Sequence, residues 1–120
     1  MRVRYWETSR GERPVEIFIT SQPTKVQAKI AWTISLLEDM GLDLLKTGHM
    51  SPLHGHKHPL YELRGRQTGI FYRILLVVAP SNTAWLLHAF SKKTDKTPRN
   101  HVDLALNRAE LIDNLRHKTN

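Results

Sequence analysis

Apolar residues recur at helical spacing in two stretches of the N-terminal third of the chain. Pro14 opens the first stretch and Pro23 the second, and proline is well tolerated in the first turn of a helix. Gly41 is a natural stop for the second helix. A short strand at about 3–6 precedes both. The pattern predicts a helical hairpin whose apolar stripes pack on another layer. The stripes are Val15, Phe18 and Ile19 in the first helix and Val26, Ile30, Ile34, Leu37 and Met40 in the second.

The apolar period changes to two in the second half of the chain, which is typical of strands. Strand-like runs occupy about 60–64, 69–79 and 83–92. The links at 65–69 and 80–82 are short and rich in turn residues, so we expect an antiparallel meander. The middle run is apolar on both faces apart from one arginine, which predicts a central strand.

A long helix is predicted over 98–117, with Thr97 as its N-cap. Its apolar arc is wider than one packing face normally requires. The excess belongs either to the core or to a docking surface, and the candidates for docking are Leu104, Leu111 and Leu115.

The predicted fold is α+β. A small antiparallel sheet packs against an N-terminal helical hairpin, with a C-terminal helix, in the order β-α-α-β-β-β-α. Residues 42–59 contain several glycines and prolines and are predicted to form an irregular loop. At 120 residues, we expect one domain that spans 1–120.

The amino-acid composition limits the classes of partner that the protein is expected to bind. Eighteen Lys and Arg against 11 Asp and Glu give a formal net charge of +7, which favours polyanions such as nucleic acid. Cysteine is absent, which excludes disulfides and thiolate metal sites. No run approaches the ~20 apolar residues of a membrane span, and the N-terminus has no apolar core of a signal peptide. We therefore expect a cytoplasmic protein without a membrane partner.

Cationic side chains recur on the predicted strands. Alternation puts Glu62 and Arg64 on one face of their strand, and His88, Phe90 and Lys92 on one face of theirs. Arg73 lies in the middle of the central strand. If these faces coincide, one side of the sheet is a basic groove suited to phosphate, because the planar guanidinium can bond two oxygens at once. The alternative for Arg73 is a structural salt bridge to Glu62.

Two other features remain open at this stage. The run from Lys92 to Lys96 is either a solvated loop or a phosphate-binding segment before a helix N-terminus. Four histidines between 49 and 58 lack an acidic ligand nearby, so we predict no metal site and no cofactor. For RNA contacts, including stacking of aromatic rings on unpaired bases, we expect Arg66, Tyr72, Phe90 and Lys96.

Three sequence motifs carry a family resemblance. Tyr61-Glu62-Leu63-Arg64, Phe71-Tyr72-Arg73-Ile74-Leu75 and above all the segment from Leu87 to Pro98, LHAFSKKTDKTP, resemble the RelE/HigB-like toxins of bacterial type II toxin–antitoxin systems. More narrowly, they resemble the phage-derived, HigB-like branch. Ala89 stands where glycine is frequent in that pattern.

The resemblance implies a compact fold like that of microbial ribonucleases and cleavage of mRNA, usually on the ribosome. It also implies a cognate antitoxin, commonly a helix-turn-helix protein, through which alone the toxin reaches DNA. The matching positions make Arg64, Arg73, His88, Lys92 and Lys93 the expected catalytic residues of a metal-independent endoribonuclease that inhibits translation. The alternatives are a non-catalytic module of the same fold that binds RNA or the ribosome, and a protein-interaction domain.

Overall fold

The computed structural model describes residues 1–92 and 97–119, with side chains through residue 112. Over these residues the strands and helices follow the predicted α+β pattern, with one additional strand and a 3-10 helix. In chain order they are β1 (Arg2–Tyr5), α1 (Pro14–Thr20), α2 (Thr24–Met40), the 3-10 helix Gly41–Lys46, β2 (Met50–Leu53), β3 (Leu60–Gln67), β4 (Ile70–Ala79), β5 (Thr83–Ser91) and α3 (Arg99–Thr119).

The five strands form a sheet in the order β1-β5-β4-β3-β2. The predicted meander is confirmed, because β3, β4 and β5 pair antiparallel and β4 is central. The prediction of a wholly antiparallel sheet is wrong, since β1 pairs parallel with β5. Two helices follow β1 in the chain, so no tight turn joins it to a neighbour, and its partner lies far away in sequence.

The predicted loop at 42–59 also needs correction. It contains a 3-10 helix and the short strand β2, which pairs antiparallel with β3. Pro52 favoured a loop in the sequence, but β2 is an edge strand, where a missing backbone N–H need not break the ladder. Met50 at the start of β2 is buried and pairs with Leu63.

Helices cover both faces of the sheet. The predicted hairpin of α1 and α2 packs on one face, around core residues that include Ile30, Leu37 and Leu76. Helix α3 packs on the opposite face, where Val102 and Ala105 meet Leu75 and other strand residues. Within residues 1–92 and 97–119, no helix combines the length and apolarity needed to cross a membrane.

The β3–β4 hairpin closes on a two-residue turn. Thr68 and Gly69 both have positive φ angles, 49° and 78°, as expected for a turn that matches the twist of its strands. Gln67 and Ile70 are therefore already paired, and β3 runs further than the predicted 60–64.

Tyr72 anchors the β3–β4 hairpin to α2. Its side chain is fully buried, and its hydroxyl lies 2.7 Å from the hydroxyl of Thr33. Its ring passes directly over Gly65, so that a Cβ at position 65 would fall 2.1 Å from the Tyr72 oxygen. Close packing against this ring is therefore the reason that position 65 requires glycine. Backbone conformation is not the reason, since Gly65 does not have a positive φ.

Gly65→Ala should destabilise the protein, since the held Tyr72 ring cannot move away without losing its bond to Thr33. Overpacking of this kind costs about 1–3 kcal/mol, measurable by urea unfolding. Gly48→Ala is the matched control, because its Cβ would meet nothing within 4 Å. Equal stability of the two variants would show that the Tyr72 ring is free to shift.

Candidate active site

The predicted basic residues share one face of the sheet. Arg64 of β3 is the direct partner of Arg73 on β4, and Arg73 is the partner of Phe90 on β5. Two residues further along β4, Leu75 pairs with Glu62 of β3 on one side and with His88 of β5 on the other. Directly paired residues of antiparallel strands lie on the same face. The expected coincidence of the three strand faces is therefore confirmed.

A bulge in β5 brings His88 onto this face. Leu75 pairs with His88 but Leu76 pairs with Leu86, which leaves Leu87 as the extra residue. The carbonyl of Leu87 accepts a 2.7 Å hydrogen bond from the guanidinium of Arg108 on α3. Helix α3 thereby satisfies a backbone group that the bulge removes from the ladder.

Arg73 forms a salt bridge with Glu62, as the alternative interpretation of Arg73 predicted. Its Nε lies 3.0 Å from Oε1 of Glu62, and the two side chains are 11% and 4% exposed. The N–H does not point at the carboxylate, so the contact is an ion pair rather than a directed hydrogen bond. Burial lowers the pKa of Arg73, Glu62 opposes this effect and the neighbouring Arg64 adds to it. Arg73 stays charged even so, because an arginine titrates far above neutral pH.

Glu62 is also tied to the segment that leads into α3. The hydroxyl of Thr97 donates a 2.5 Å hydrogen bond to Oε2 of Glu62. Helix α3 starts at Arg99, two residues after Thr97, so the predicted cap residue instead links the helix start to β3. The two oxygens of one buried carboxylate thus serve two partners, which is how a buried charge is normally tolerated.

Positive charge remains after this pairing. The Nε of Arg64 is buried and has no hydrogen-bond partner among the described residues. Arg66 is exposed, with its guanidinium 5.5 Å from the ring centre of Phe71. The backbone of Lys92 is held beside them by a 2.7 Å hydrogen bond to the Phe71 carbonyl. Among the described residues, the carboxylate of Glu62 faces several cations, so this end of the sheet favours an anion.

Helix α3 covers the part of this sheet face that carries His88 and Phe90. The ring of His101 stacks on Phe90, with centroids 3.9 Å apart and planes 3° apart. The Nδ1 atom of His101 lies 2.7 Å from Nε2 of His88. Two imidazoles and one phenyl ring thus form a compact cluster beside Arg73, with His101 supplied by the first turn of α3.

His88 is neutral under ordinary conditions. Burial lowers its pKa to about 4, and the nearby His101 and Arg108 act in the same direction. Burial also lowers the pKa of His101. A second charge on the adjoining ring is unfavourable at this distance, so the cluster holds at most one proton beyond its neutral form near neutral pH.

Two of the predicted RNA-binding aromatics require correction. Tyr72 lies one residue out of phase with Arg73, so it is buried under α2 on the opposite face. Phe90 is on the predicted face but is only 6% exposed, because His101 covers it. Phe71 is instead the ring that reaches solvent, with 43% of its surface exposed.

The remaining predicted residues have different outcomes. Lys93, Lys96 and the side chain of Leu115 lie outside the described residues. Leu104 and Leu111 are 37% and 52% exposed on α3, so neither is a core residue.

Two of the four loop histidines, His49 and His58, make contacts with other side chains. Nε2 of His58 lies 2.6 Å from Oε2 of Glu110, and His49 meets Trp32 edge to face at 5.2 Å. The pKa of Glu110 is lowered, chiefly by the His58 hydrogen bond and then by Lys57. Among the residues that the structure describes, no three histidine or acidic side chains are grouped as metal ligands would be.

Sequence reasoning missed His101 and Arg108. Both lie on a helix whose pattern reveals its apolar stripe but not which strand it crosses. A signal for His101 was present, because it stands three residues after Pro98 and so within the first turn of a helix that follows a basic segment. For Arg108 we find no local signal, since its partner is a carbonyl exposed by the bulge.

A comparison with family models decides the affiliation. The model described as Phage derived protein Gp49-like (DUF891) matches residues 18–110. The chain belongs to the Gp49-like family. This family is a toxin-like group of the RelE/HigB type. The matched region of the Gp49-like chain includes strands β2 to β5 and the first half of α3. It therefore contains the cations and histidines described above for the candidate site: Arg64, Arg66, Arg73, His88, Lys92 and His101. No curated protein matches the chain.

The depressed pKa of His88 predicts a loss of stability in acid. The unfolded chain takes up this proton near the ordinary histidine value of 6.5, whereas the folded chain resists it down to about 4. The free energy of unfolding should therefore fall as the pH drops from about 6.5 to 4. Urea unfolding across this range should show a smaller fall for His88→Gln than for the exposed control His54→Gln. Identical slopes would mean that His88 is not desolvated.

Proposed function

We propose that the Gp49-like chain is the toxin of a type II toxin–antitoxin pair, of the phage-derived, HigB-like branch, and that it cleaves mRNA on the ribosome. The observation that carries the proposal is the row of cations beside a histidine cluster on one face of the sheet. The family affiliation supports the toxin role. Its place of action would be the cytoplasm, where translation occurs.

The proposed reaction needs neither a metal nor a cofactor. The 2′-hydroxyl of RNA attacks the adjacent phosphorus, which gives a 2′,3′-cyclic phosphate and a free 5′-hydroxyl. Arg64 and Arg73 would stabilise the extra negative charge on the phosphorane, and Lys92 with Lys93 would hold the phosphate. The His88–His101 pair would serve proton transfer, because burial favours the neutral form of both imidazoles, which can accept a proton.

Contacts to the RNA strand would come from the hairpin end of the sheet. Arg66 is exposed beside Phe71, so a cation and an aromatic face are available together. This combination suits a single strand, since each base offers a face for stacking and each phosphate a charge. Phe71 thus takes the stacking role in the proposal, while Lys96 remains a further candidate for a phosphate contact.

The burial of Arg73 favours a second candidate. An arginine held by Glu62 and nearly out of solvent is also what a structural role requires. A non-catalytic module of this fold would bind RNA or the ribosome through the exposed Arg66 and the partly buried Lys92 and leave the RNA intact. Its binding would weaken steeply with salt.

Cleavage on translating ribosomes separates the two candidates. Purified protein is added to ribosomes that carry a defined mRNA, and primer extension maps new 5′ ends. The proposed function requires cuts that leave 5′-hydroxyl and 2′,3′-cyclic phosphate ends. Ribosome binding that falls with salt, with intact mRNA, would instead establish the non-catalytic module.

Substitution of Arg73 tests whether its charge stabilises the transition state of cleavage. Arg73→Ala alone would strand the buried Glu62 carboxylate, so the informative variant combines Arg73→Met with Glu62→Gln. The glutamine keeps an acceptor for Thr97, and both charges leave together. We expect the double variant to fold but to cleave about 10²–10³-fold more slowly, since one donor to the transition state is lost.

Glu62→Gln alone is the control for the double variant. It retains the Arg73 cation and should retain most of the cleavage rate, whereas the melting temperature reports any loss of fold. Full cleavage by the folded double variant would show that Arg73 is structural only.

The partner of the toxin would be a cognate antitoxin, most simply a helix-turn-helix protein encoded beside it, through which the pair binds DNA. The structure offers a groove of about 1060 Å³ between β1 and the later part of α3. Its lining includes the aromatic rings of Trp6 and Trp85 and the exposed Leu111. Leu104 lies seven residues earlier on the same side of α3, and Leu115 would follow one turn after Leu111.

Cations flank the apolar lining of this groove. The guanidinium of Arg4 lies 5.6 Å from the ring centre of Trp85, and that of Arg108 lies 4.6 Å from Trp6. Among the described residues, neither arginine forms an ion pair. An acidic, amphipathic segment of the antitoxin matches this combination of an apolar lining and positive edges.

Leu111 tests the docking proposal. Leu111→Ser should weaken antitoxin binding by about 2 kcal/mol, the scale of an apolar anchor, while cleavage by the free toxin is unchanged. Isothermal titration with the antitoxin measures the loss. Ile17→Ser is the matched control, because Ile17 is 53% exposed on the hairpin side of the sheet. Normal binding by Leu111→Ser would place the antitoxin elsewhere.

A further inference from the structure

The two histidines of the cluster are not equivalent. His88 lies on a strand, under α3, and faces the charge of Arg108 in addition to His101. His101 lies in the first turn of α3, and only burial perturbs it. A proton that enters the pair therefore favours His101, because the extra positive charge at Arg108 acts on His88.

The 2.7 Å contact restricts the tautomers of the pair. One ring nitrogen must donate and the other must accept. His88 is neutral and can accept at Nε2, in which case His101 donates from Nδ1. The other nitrogen of His101, Nε2, then carries a free lone pair. Stacking on Phe90 holds the ring plane, so that Nε2 has a fixed direction.

We propose that His101 is the general base of the reaction and that His88 is its positioning residue. This inference rests on the proposed ribonuclease function and adds a role for a residue of α3. In the step, Nε2 of His101 takes the proton of the 2′-hydroxyl, the 2′-oxygen forms a bond to phosphorus, and the bond from phosphorus to the 5′-oxygen breaks. Water supplies the proton that the 5′-oxygen takes up, and His101 later returns its proton to solvent.

His88 acts on this step through its neighbour. Its lone pair at Nε2 keeps the proton of His101 on Nδ1, and it stabilises the imidazolium that forms when His101 accepts the second proton. Among the described residues, the charged and titratable groups that face the pair are Arg108 on α3, Arg73 on β4 and Glu62 on β3. Arg73 and Glu62 are paired with each other, and Arg108 is the charge outside the histidine pair that lowers the pKa of His88.

The decisive variant is His101→Phe, because a phenyl ring retains the stack on Phe90 but has no nitrogen. We expect the melting temperature to change little and cleavage on programmed ribosomes to fall about 10²–10⁴-fold, the usual effect of losing a general base. His54→Gln, in an exposed loop, is the control and should cleave as the wild type does.

A second substrate separates a base from an acid. An mRNA with sulfur in place of the bridging 5′-oxygen has a leaving group that needs no proton. The defect of His101→Phe should persist on this substrate if His101 is the base. Recovery of the rate would overturn the assignment and make His101 the acid.

The positioning role of His88 has its own readout. Imidazole ¹⁵N shifts should show His101 protonated at Nδ1 in the wild type, and a shift of that proton to Nε2 in His88→Phe. Cleavage by His88→Phe should fall at least about tenfold because the lone pair is lost. An unchanged tautomer in this variant would overturn the role of His88.

The outcomes also distinguish this inference from the function on which it rests. If the wild type cleaves and His101→Phe cleaves equally well, the function stands and the base is another group. If the wild type leaves every ribosome-bound mRNA intact, the ribonuclease proposal fails and the inference fails with it.

Discussion

The buried carboxylate of Glu62 connects the scaffold to the candidate site. One of its oxygens faces Arg73 on the central strand, and the other accepts a hydrogen bond from Thr97 just before α3. A buried charge is stable only when its partners are in place, so β3, β4 and the start of α3 are constrained together. The same anion offsets only part of the positive charge around it. The side chain of Glu62 therefore contributes both to the packing of α3 on the sheet and to the electrostatics of the site.

Local features of the sequence were sufficient for most of the elements. Pro14, Pro23 and Gly41 marked the helical hairpin, and short links rich in turn residues marked the meander. The common face of Arg64, Arg73 and His88 followed from the period of two once the registers were assumed to agree. Each of these signals is a property of a few consecutive residues, which is why they could be read without the fold.

The features that could not be read are set by distant parts of the chain. Strand β1 pairs with β5, which lies far away in the sequence. Strand β2 contains Pro52, which hid its pairing with β3. The bulge at Leu87 places two successive residues on the α3 side, which no alternation rule anticipates. The role of Phe90 was misjudged for the same reason, because only the crossing of α3 shows that His101 covers its ring.

Helix α3 divides its face of the sheet into two regions. Its first turn lies over the histidine cluster, whereas Leu111 and Ile112, three turns later, border the groove beside β1. Under the proposed function, RNA chemistry and antitoxin docking use different stretches of the same helix. An antitoxin in the groove would therefore contact the helix that carries His101 without entering the site.

The parallel pairing of β1 with β5 has a consequence for the order of synthesis. Arg2 pairs with Thr83, and Met1 at the start of the chain bonds through its amino group to the Glu38 carbonyl. Strand β1 gains its sheet neighbour only after β5 has been synthesised, and α3 follows later still. Contacts between such distant residues form slowly. A nascent chain consequently lacks both the complete sheet and His101 until β5 and the first turn of α3 have been synthesised.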